Sequence, residues 1–349
     1  MRRIPFRLLT GLLSLFFFGL ICPSGTALAA SDSYYAKETF SIAPGGLVVV
    51  EAAFQNVEVY PTTEPAIEVE VKMEITAHSK QSVQRIMDEY KPVFTVSENL
   101  LRIRATPDKY INFYGPQRCA GSIKLTVPAE IDLEIKTTSG DSSFHNIYAQ
   151  NITTAAPSGD ISFRGTVQNL TANTASGEIY LEGKVEYLTA ETASGEIEAK
   201  LARPALFIEA KSASGDIRIN GPVAQGEIHS ISGQIEIRGL EGGRINASTV
   251  SGALSLHCSS ITEKTYLSAE SVSGSIRFSL PAGAKLKGEI ETKTGWIEAD
   301  FPGRFARQRK TFFLEDQDAQ GQIYASTTSG PIFLRSGEAR SSVLPKSGR

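Results

Sequence analysis

TASGEIYL (Thr174–Leu181) and TASGEIEA (Thr192–Ala199) are nearly the same phrase, set eighteen positions apart. They belong to a longer series. Its members are centred on Ser139-Gly140, Ser158-Gly159, Ser176-Gly177, Ser194-Gly195, Ser214-Gly215, Ser232-Gly233, Ser251-Gly252, Ser273-Gly274, Thr294-Gly295 and Ser329-Gly330. Successive steps are 19, 18, 18, 20, 18, 19, 22, 21 and 35. A repeat of this length marks a solenoid, in which each repeat buries its apolar face only against its neighbours.

The residues around each pair say which solenoid. Apolar and polar positions alternate after the glycine, as in Glu178-Ile179-Tyr180-Leu181 and Asp216-Ile217-Arg218-Ile219. They alternate before it too, as in Leu188-x-Ala190-x-Thr192 and Ile208-x-Ala210-x-Ser212. Period two is the signature of strands with one buried face, and no 3.6-residue period competes with it. The spacing therefore predicts an all-β, single-stranded parallel β-solenoid with rungs of about 18–22 residues. Ten rungs at about 4.8 Å each give a rod of about 45 Å.

Each repeated position then has an expected task. Glycine is expected at a corner that needs positive φ. The serine before it is expected to bond backbone groups left unpaired at that corner. Glu191, Lys211, Glu198 and Arg218 take the outward parity. Ala175, Ala193, Ala213, Ile231 and Val250 also fall outward by strict alternation, unless a bulge turns them in.

Composition bounds the partners. The chain has 349 residues, 41% of them apolar, and a formal net charge of -3. That balance does not suit a nucleic-acid backbone. Residues 1–29 have the layout of an export signal: Arg2, Arg3 and Arg7, an apolar run from Leu8 to Ile21, and Ala27-Leu28-Ala29 as the cleavage site. A membrane anchor or a lipid-modified Cys22 are the alternatives. No second long apolar stretch follows, so the mature chain is expected to carry no transmembrane segment and to work in the periplasm or at the cell surface. Cys119 and Cys258 lie at least six rungs apart along such a rod, so both thiols are expected to be free.

The ends differ from the middle. Residues 30–130 read as an N-terminal β region, in which Gln55-Asn56 stands in for the Ser-Gly corner. A helix over 79–90, capped by Ser79 or Ser82, carries Val83, Ile86, Met87 and Tyr90 on one face and is expected to cover the open end of the stack. Residues 131–334 form the regular repeats. The long late step adds a charged insert with Arg304, Arg307, Arg309 and Lys310, then Glu315, Asp316 and Asp318, expected as a loop. Residues 335–349 read as a disordered tail.

The opening FSIAPGGLVVVEAAFQNVEVY, the strand KLTVPAEIDLEIKTTSGDSSF and the tandem phrases at Gly159, Gly177, Gly195 and Gly215 resemble the bacterial putative-adhesin domain family. The resemblance covers residues 38–334. It implies an exported β-solenoid of largely uncharacterised function, and it supplies no catalytic residues.

Several constellations could carry chemistry. Asp141, Asp160, Glu178, Glu196 and Asp216 follow the glycine in five consecutive rungs. In register they would lie about 5 Å apart, at a cost of about 0.9 kcal/mol per pair in water. A calcium ion would relieve that; so would splaying into solvent while capping the turn. The repeats lack the Gly-Gly-x-Gly-x-Asp calcium signature. Tyr110, Phe113, Tyr114 and Arg118 suit a partner loop, or a loop packed on the body. Trp296 is expected at an exposed corner. His257-Cys258 are adjacent, so their side chains diverge and make poor metal ligands. Glu198, Arg218 and Glu236 align in one outward column, which fits a salt ladder or, in a carbohydrate-active enzyme, an acid cluster. No H-E-x-x-H, C-x-x-C or G-x-S-x-G motif is present. The expectation is a non-enzymatic, cofactor-free binding or scaffold protein of the cell envelope, with an envelope protein or a glycan as partner.

Overall fold

The structure, a computed structural model, describes residues 30–107 and 117–337. The expected leader, most of the expected partner loop and nearly all of the expected tail lie outside these residues. The described chain forms a single continuous sheet of strands wound into a solenoid. Each rung has two arms. One precedes the Ser-Gly corner and the other follows it, and the two arms face each other across the core.

Register is strict along the stack. Leu170, Leu188 and Ile208 lie on one another in the first arm, as do Ala172, Ala190 and Ala210. In the second arm Ile161, Ile179, Ile197, Ile217 and Ile235 do the same. These positions are buried, and the alternating ones face out. Like residues stack because parallel rungs repeat the same environment. Ala175, Ala193, Ile231 and Val250 are exposed, so the corner does not bulge to turn them inward.

The corner itself corrects two expectations. None of the ten Ser-Gly or Thr-Gly glycines has positive φ. Glycine is needed there for close approach instead. A Cβ on Gly195 would collide with the carbonyl oxygen of Gly177, and one on Gly215 with that of Gly195, so the repeated glycines stack backbone on backbone. Positive φ occurs at the opposite corner, as at Gly183 (φ 148°) and Gly221 (φ 129°). Nor is the serine before glycine the residue that holds the turn in the repeat: it is exposed in every copy, as is Thr294, and the backbone bonds of these hydroxyls are those of Ser139 to the Ala53 carbonyl at 3.4 Å and of Thr294 to the Thr328 carbonyl at 3.1 Å. The bonding hydroxyl lies two residues earlier and points inward. Thr192 Oγ1 accepts from the Gly195 N–H at 3.0 Å and donates to the Gly177 carbonyl at 3.2 Å. Ser212 and Ser230 repeat the arrangement one and two rungs on. A buried hydroxyl is tolerated because both its roles are filled.

The rungs at the two ends are not stacked in chain order. Leu47–Ala52 lies between Leu100–Ala105 and Asp132–Lys136, and Asn56–Thr62 lies between Gln117–Pro128 and Ser142–Ala156. The second rung in sequence is therefore the outer one. Gln55 does take the corner position, its carbonyl sitting under Gly140 as the glycine carbonyls do elsewhere. At the other end, Gly321–Thr327 slots between Thr265–Ser271 and Leu286–Thr292. Its continuation Ile332–Ser336 slots between Ile276–Leu280 and Ile297–Ala299. The Gly295 rung is thus outermost, and the Gly330 rung comes back to fill the place beneath it.

Antiparallel strands close both ends. Val93–Val96 lies on Leu100–Ala105, Ile67–Ala77 lies on Gln117–Pro128, and Ala30–Phe40 is the outermost strand. The helix Lys80–Tyr90 is capped by Ser79, whose side chain accepts from the Ser82 N–H, and it buries Val83, Ile86 and Met87. It packs on Ala30–Phe40 and Ile67–Ala77, and its Tyr90 ring meets Phe54 at 5.2 Å. At the far end the charged insert is not a loop. Arg304–Ala306 and Thr311–Glu315 form a hairpin that pairs antiparallel with Leu286–Thr292. Phe312 is buried in it, 4.7 Å from the Phe305 ring. The charges that suggested a loop pair along its rim, Arg304 with Glu315 at 2.9 Å and Lys285 with Asp318 at 2.7 Å.

Candidate functional site

The corner opposite Ser-Gly changes character along the stack. In the first regular rungs a single strand runs through it, as in Ile161–Thr174 and Ile179–Thr192. From the Gly195 rung onward the strand breaks and a turn takes its place. Two of these turns are long. Residues 202–206 belong to the 20-residue step, and residues 259–264 to the 22-residue step. They stand as walls on either side of the shorter turns at 221–224 and 241–243, and leave a groove of about 1240 Å³ between them.

The groove floor is fixed by backbone bonds between rungs. The Ala224 N–H donates to the Ala205 carbonyl, Arg244 to Ala224 and Tyr266 to Gly243, each at 2.8 Å. Gly242 and Gly243 have φ of 91° and 97°, and a Cβ on Gly243 would strike the Val223 carbonyl, so the floor can pass between its neighbours only as glycine. One column of outward side chains runs along the groove in register: Tyr187 on Phe207, Gln225 on Arg244, Arg244 on Tyr266 and Tyr266 on Gln322. The Arg244 guanidinium lies 4.8 Å from the Tyr266 ring centre, and Tyr324 lies 5.5 Å from the same ring. Leu206 and Tyr187 are exposed on the near wall.

The residues singled out in the sequence are placed elsewhere. The acidic column runs down the Ser-Gly edge, where its aspartates accept backbone donors of the next rung. Asp141 takes the Asp160 N–H at 2.9 Å, Asp160 the Glu178 N–H at 2.8 Å, and Asp216 the Gln234 N–H at 2.9 Å. Asn56 starts the series by accepting from Asp141. Glu196 pairs with Arg218. Among the described residues no three His, Cys, Asp or Glu side chains converge as a metal site would require.

Glu198, Arg218 and Glu236 do share a column, but they pair with other neighbours: Glu198 with Lys200 at 2.9 Å, Glu236 with Arg238 at 2.6 Å, and Arg218 with Asp216 at 2.9 Å in its own rung and with Glu196 in the one before. His257 faces out and is half-buried, with Nε2 3.6 Å from Glu236, and burial lowers its pKa. Cys258 points into the core, where burial pushes its thiol up, and its Sγ donates to the Ser260 carbonyl. Cys119 and Cys258 are both free thiols. Trp296 is 57% exposed at the outermost rung. Tyr110, Phe113 and Tyr114 lie outside the described residues; Arg118 is exposed on the strand Gln117–Pro128.

The groove was missed in the sequence, although the signal was present. Its walls are the two places where the steps among consecutively stacked rungs rise to 20 and 22.

Several solved structures are similar to this chain at low identity. One is a putative adhesin from Bacteroides fragilis: 12% identity, covering 86% of this chain and 97% of that one, TM-score 0.34. Another is a putative lipid binding protein from Parabacteroides distasonis: 15% identity, 86% and 96% covered, TM-score 0.43. A third, a putative adhesin from the same species, has 12% identity, 86% and 98% covered and TM-score 0.36. None of the curated proteins matches. No helix among the described residues is long and apolar enough to cross a membrane. The Toastrack DUF4097 family model matches residues 53–222 and 184–335, overlapping across the regular rungs and together spanning most of the described solenoid; the chain belongs to the Toastrack DUF4097 family.

Proposed function

We propose that this chain is a non-enzymatic, adhesin-like binding module that is exported and works at the bacterial cell envelope. The observation that carries the reading is the groove. There the regular stack departs from its repeat to make a concave surface, and concave surfaces with a few convergent polar groups are where ligands bind. Export rests on the leader-like residues 1–29. A non-enzymatic role is supported by the ion pairs of Glu198, Arg218 and Glu236 with close neighbours, the arrangement of a surface salt ladder.

The test is binding of purified residues 30–349 to an array of envelope glycans and envelope proteins, with calcium and with chelator. Saturable binding is expected in both conditions, because the aspartates of the acidic column already hold backbone N–H groups. Turnover of any arrayed polysaccharide would replace this reading with an enzymatic one.

A further inference from the structure

We infer that the groove holds one extended, uncharged glycan chain, laid along the stack from Tyr187 to Tyr266. The inference rests on the binding-module reading and names its ligand class.

Three features of the groove point to it. The first is chemistry. Tyr187, Leu206 and Phe207 give the near wall an apolar surface, which suits the carbon–hydrogen faces of sugar rings. Gln225, Arg244 and the Tyr266 hydroxyl follow as donors and acceptors for sugar hydroxyls.

The second is spacing. The column climbs one rung per side chain, about 4.8 Å each, so Tyr187 and Tyr266 lie about 19 Å apart. That step is close to the advance of one pyranose unit in an extended chain. Successive sugars would therefore meet successive rungs in the same register.

The third is charge. Arg244 and Lys264 in the lining are matched by Glu241 and Glu263, so the lining carries no net charge. A polyanion would gain nothing there. These polar groups are also unused. On the two broad faces, charged side chains pair with their neighbours, Lys200 with Glu198, Arg238 with Glu236 and Lys211 with Glu209. In the groove, Arg244, Lys264, Glu241 and Glu263 form no ion pair among the described residues, and Arg244 is held only by the Tyr266 ring. Donors and acceptors aimed into a concave surface and left unpaired are available to a ligand.

The experiment is calorimetric titration of residues 30–349 with cellohexaose and chitohexaose, and with hexagalacturonate as the charged counterpart. One neutral hexasaccharide is expected to bind per chain, with the matching disaccharide at least tenfold weaker. Tyr266→Ala and Leu206→Ser should each weaken binding at least tenfold without moving the melting temperature, and Tyr35→Ala, exposed on the distant first strand, should not. Leu206→Ser guards against a folding defect at Tyr266.

Neutral-glycan binding that survives both groove variants would overturn the site. Preference for hexagalacturonate would overturn the charge argument. No binding to any of the three sugars would overturn the glycan assignment, and a saturable envelope protein on the array would then leave the binding-module reading standing. Silence there as well would remove both.

Discussion

In the middle of the solenoid every rung rests on the one made just before it; at each end the chain passes one place, builds the outer rung, and returns or is overlaid. The difference shows in the bonds. The Glu178 N–H reaches an aspartate 18 residues back, whereas the Asp141 N–H reaches Asn56 across 85 residues, and Thr327 reaches Gly274 across 53. The middle is thus a nearest-neighbour array, in which each rung adds an interface of the same kind. The ends need longer loops to close before their contacts form. Repetition alone builds the body, and tertiary closure stops it from growing.

The sharpest test of the middle is Gly195→Val. A side chain there must displace the Gly177 carbonyl, and it has no room to do so without opening the ladder. A loss of about 4 kcal/mol or more is expected in urea unfolding. Gly283→Ala is the matched control: φ is 73° but the space around it is open, so about 1 kcal/mol is expected. Equal losses would mean that backbone approach is not what selects glycine in the repeat.

Phe312→Ala tests the end. It removes the buried ring of the closing hairpin, with an expected cost of about 3 kcal/mol. Hydrogen exchange should rise in the Gly295 and Gly330 rungs while the Gly195 to Gly233 rungs stay protected. A uniform rise would show one cooperative unit and dissolve the contrast between end and middle.

Thr192→Val sharpens the account of the corner. It leaves the Gly195 N–H without its buried acceptor, for about 1–2 kcal/mol by thermal melting. Thr192→Ser should cost much less, because Ser212 and Ser230 fill the same role in the next rungs. The smallest effect is expected at His257. Burial lowers its folded pKa, so the unfolded chain takes up the proton first. Stability tied to this residue is present at higher pH and is lost as pH falls from the ordinary histidine value of about 6.5 towards the lowered one. His257→Gln should flatten that part of a melting-temperature profile; an unchanged slope would assign it to other groups.

The sequence made the middle legible because a two-residue alternation inside a fixed repeat leaves one architecture. It misled at the corner, since Ser and Thr flank the glycine on both sides of the decision. Ser194 is the nearer residue, but strand parity carries Thr192 inward to the Gly195 N–H and leaves Ser194 in solvent. Equal phrases also imply equal rank, and nothing local to Thr294 or Ser329 tells which rung lies outside. That order follows from the closing hairpin, whose Thr311–Glu315 strand is only five residues long and sits among charges. The groove was hidden because a loop length reads as tolerance until the neighbouring loops are seen to be short.

The returning rung has a mechanical consequence. The last described strand, Ile332–Ser336, is not at the tip of the rod but is clamped between Ile276–Leu280 and Ile297–Ala299. Tension entering beyond Ser336 therefore loads two ladders at once, and the strand must slide out from between both neighbours rather than peel from a free edge. A rod that holds a partner at its side groove while being pulled from this end would give way late, and all at once.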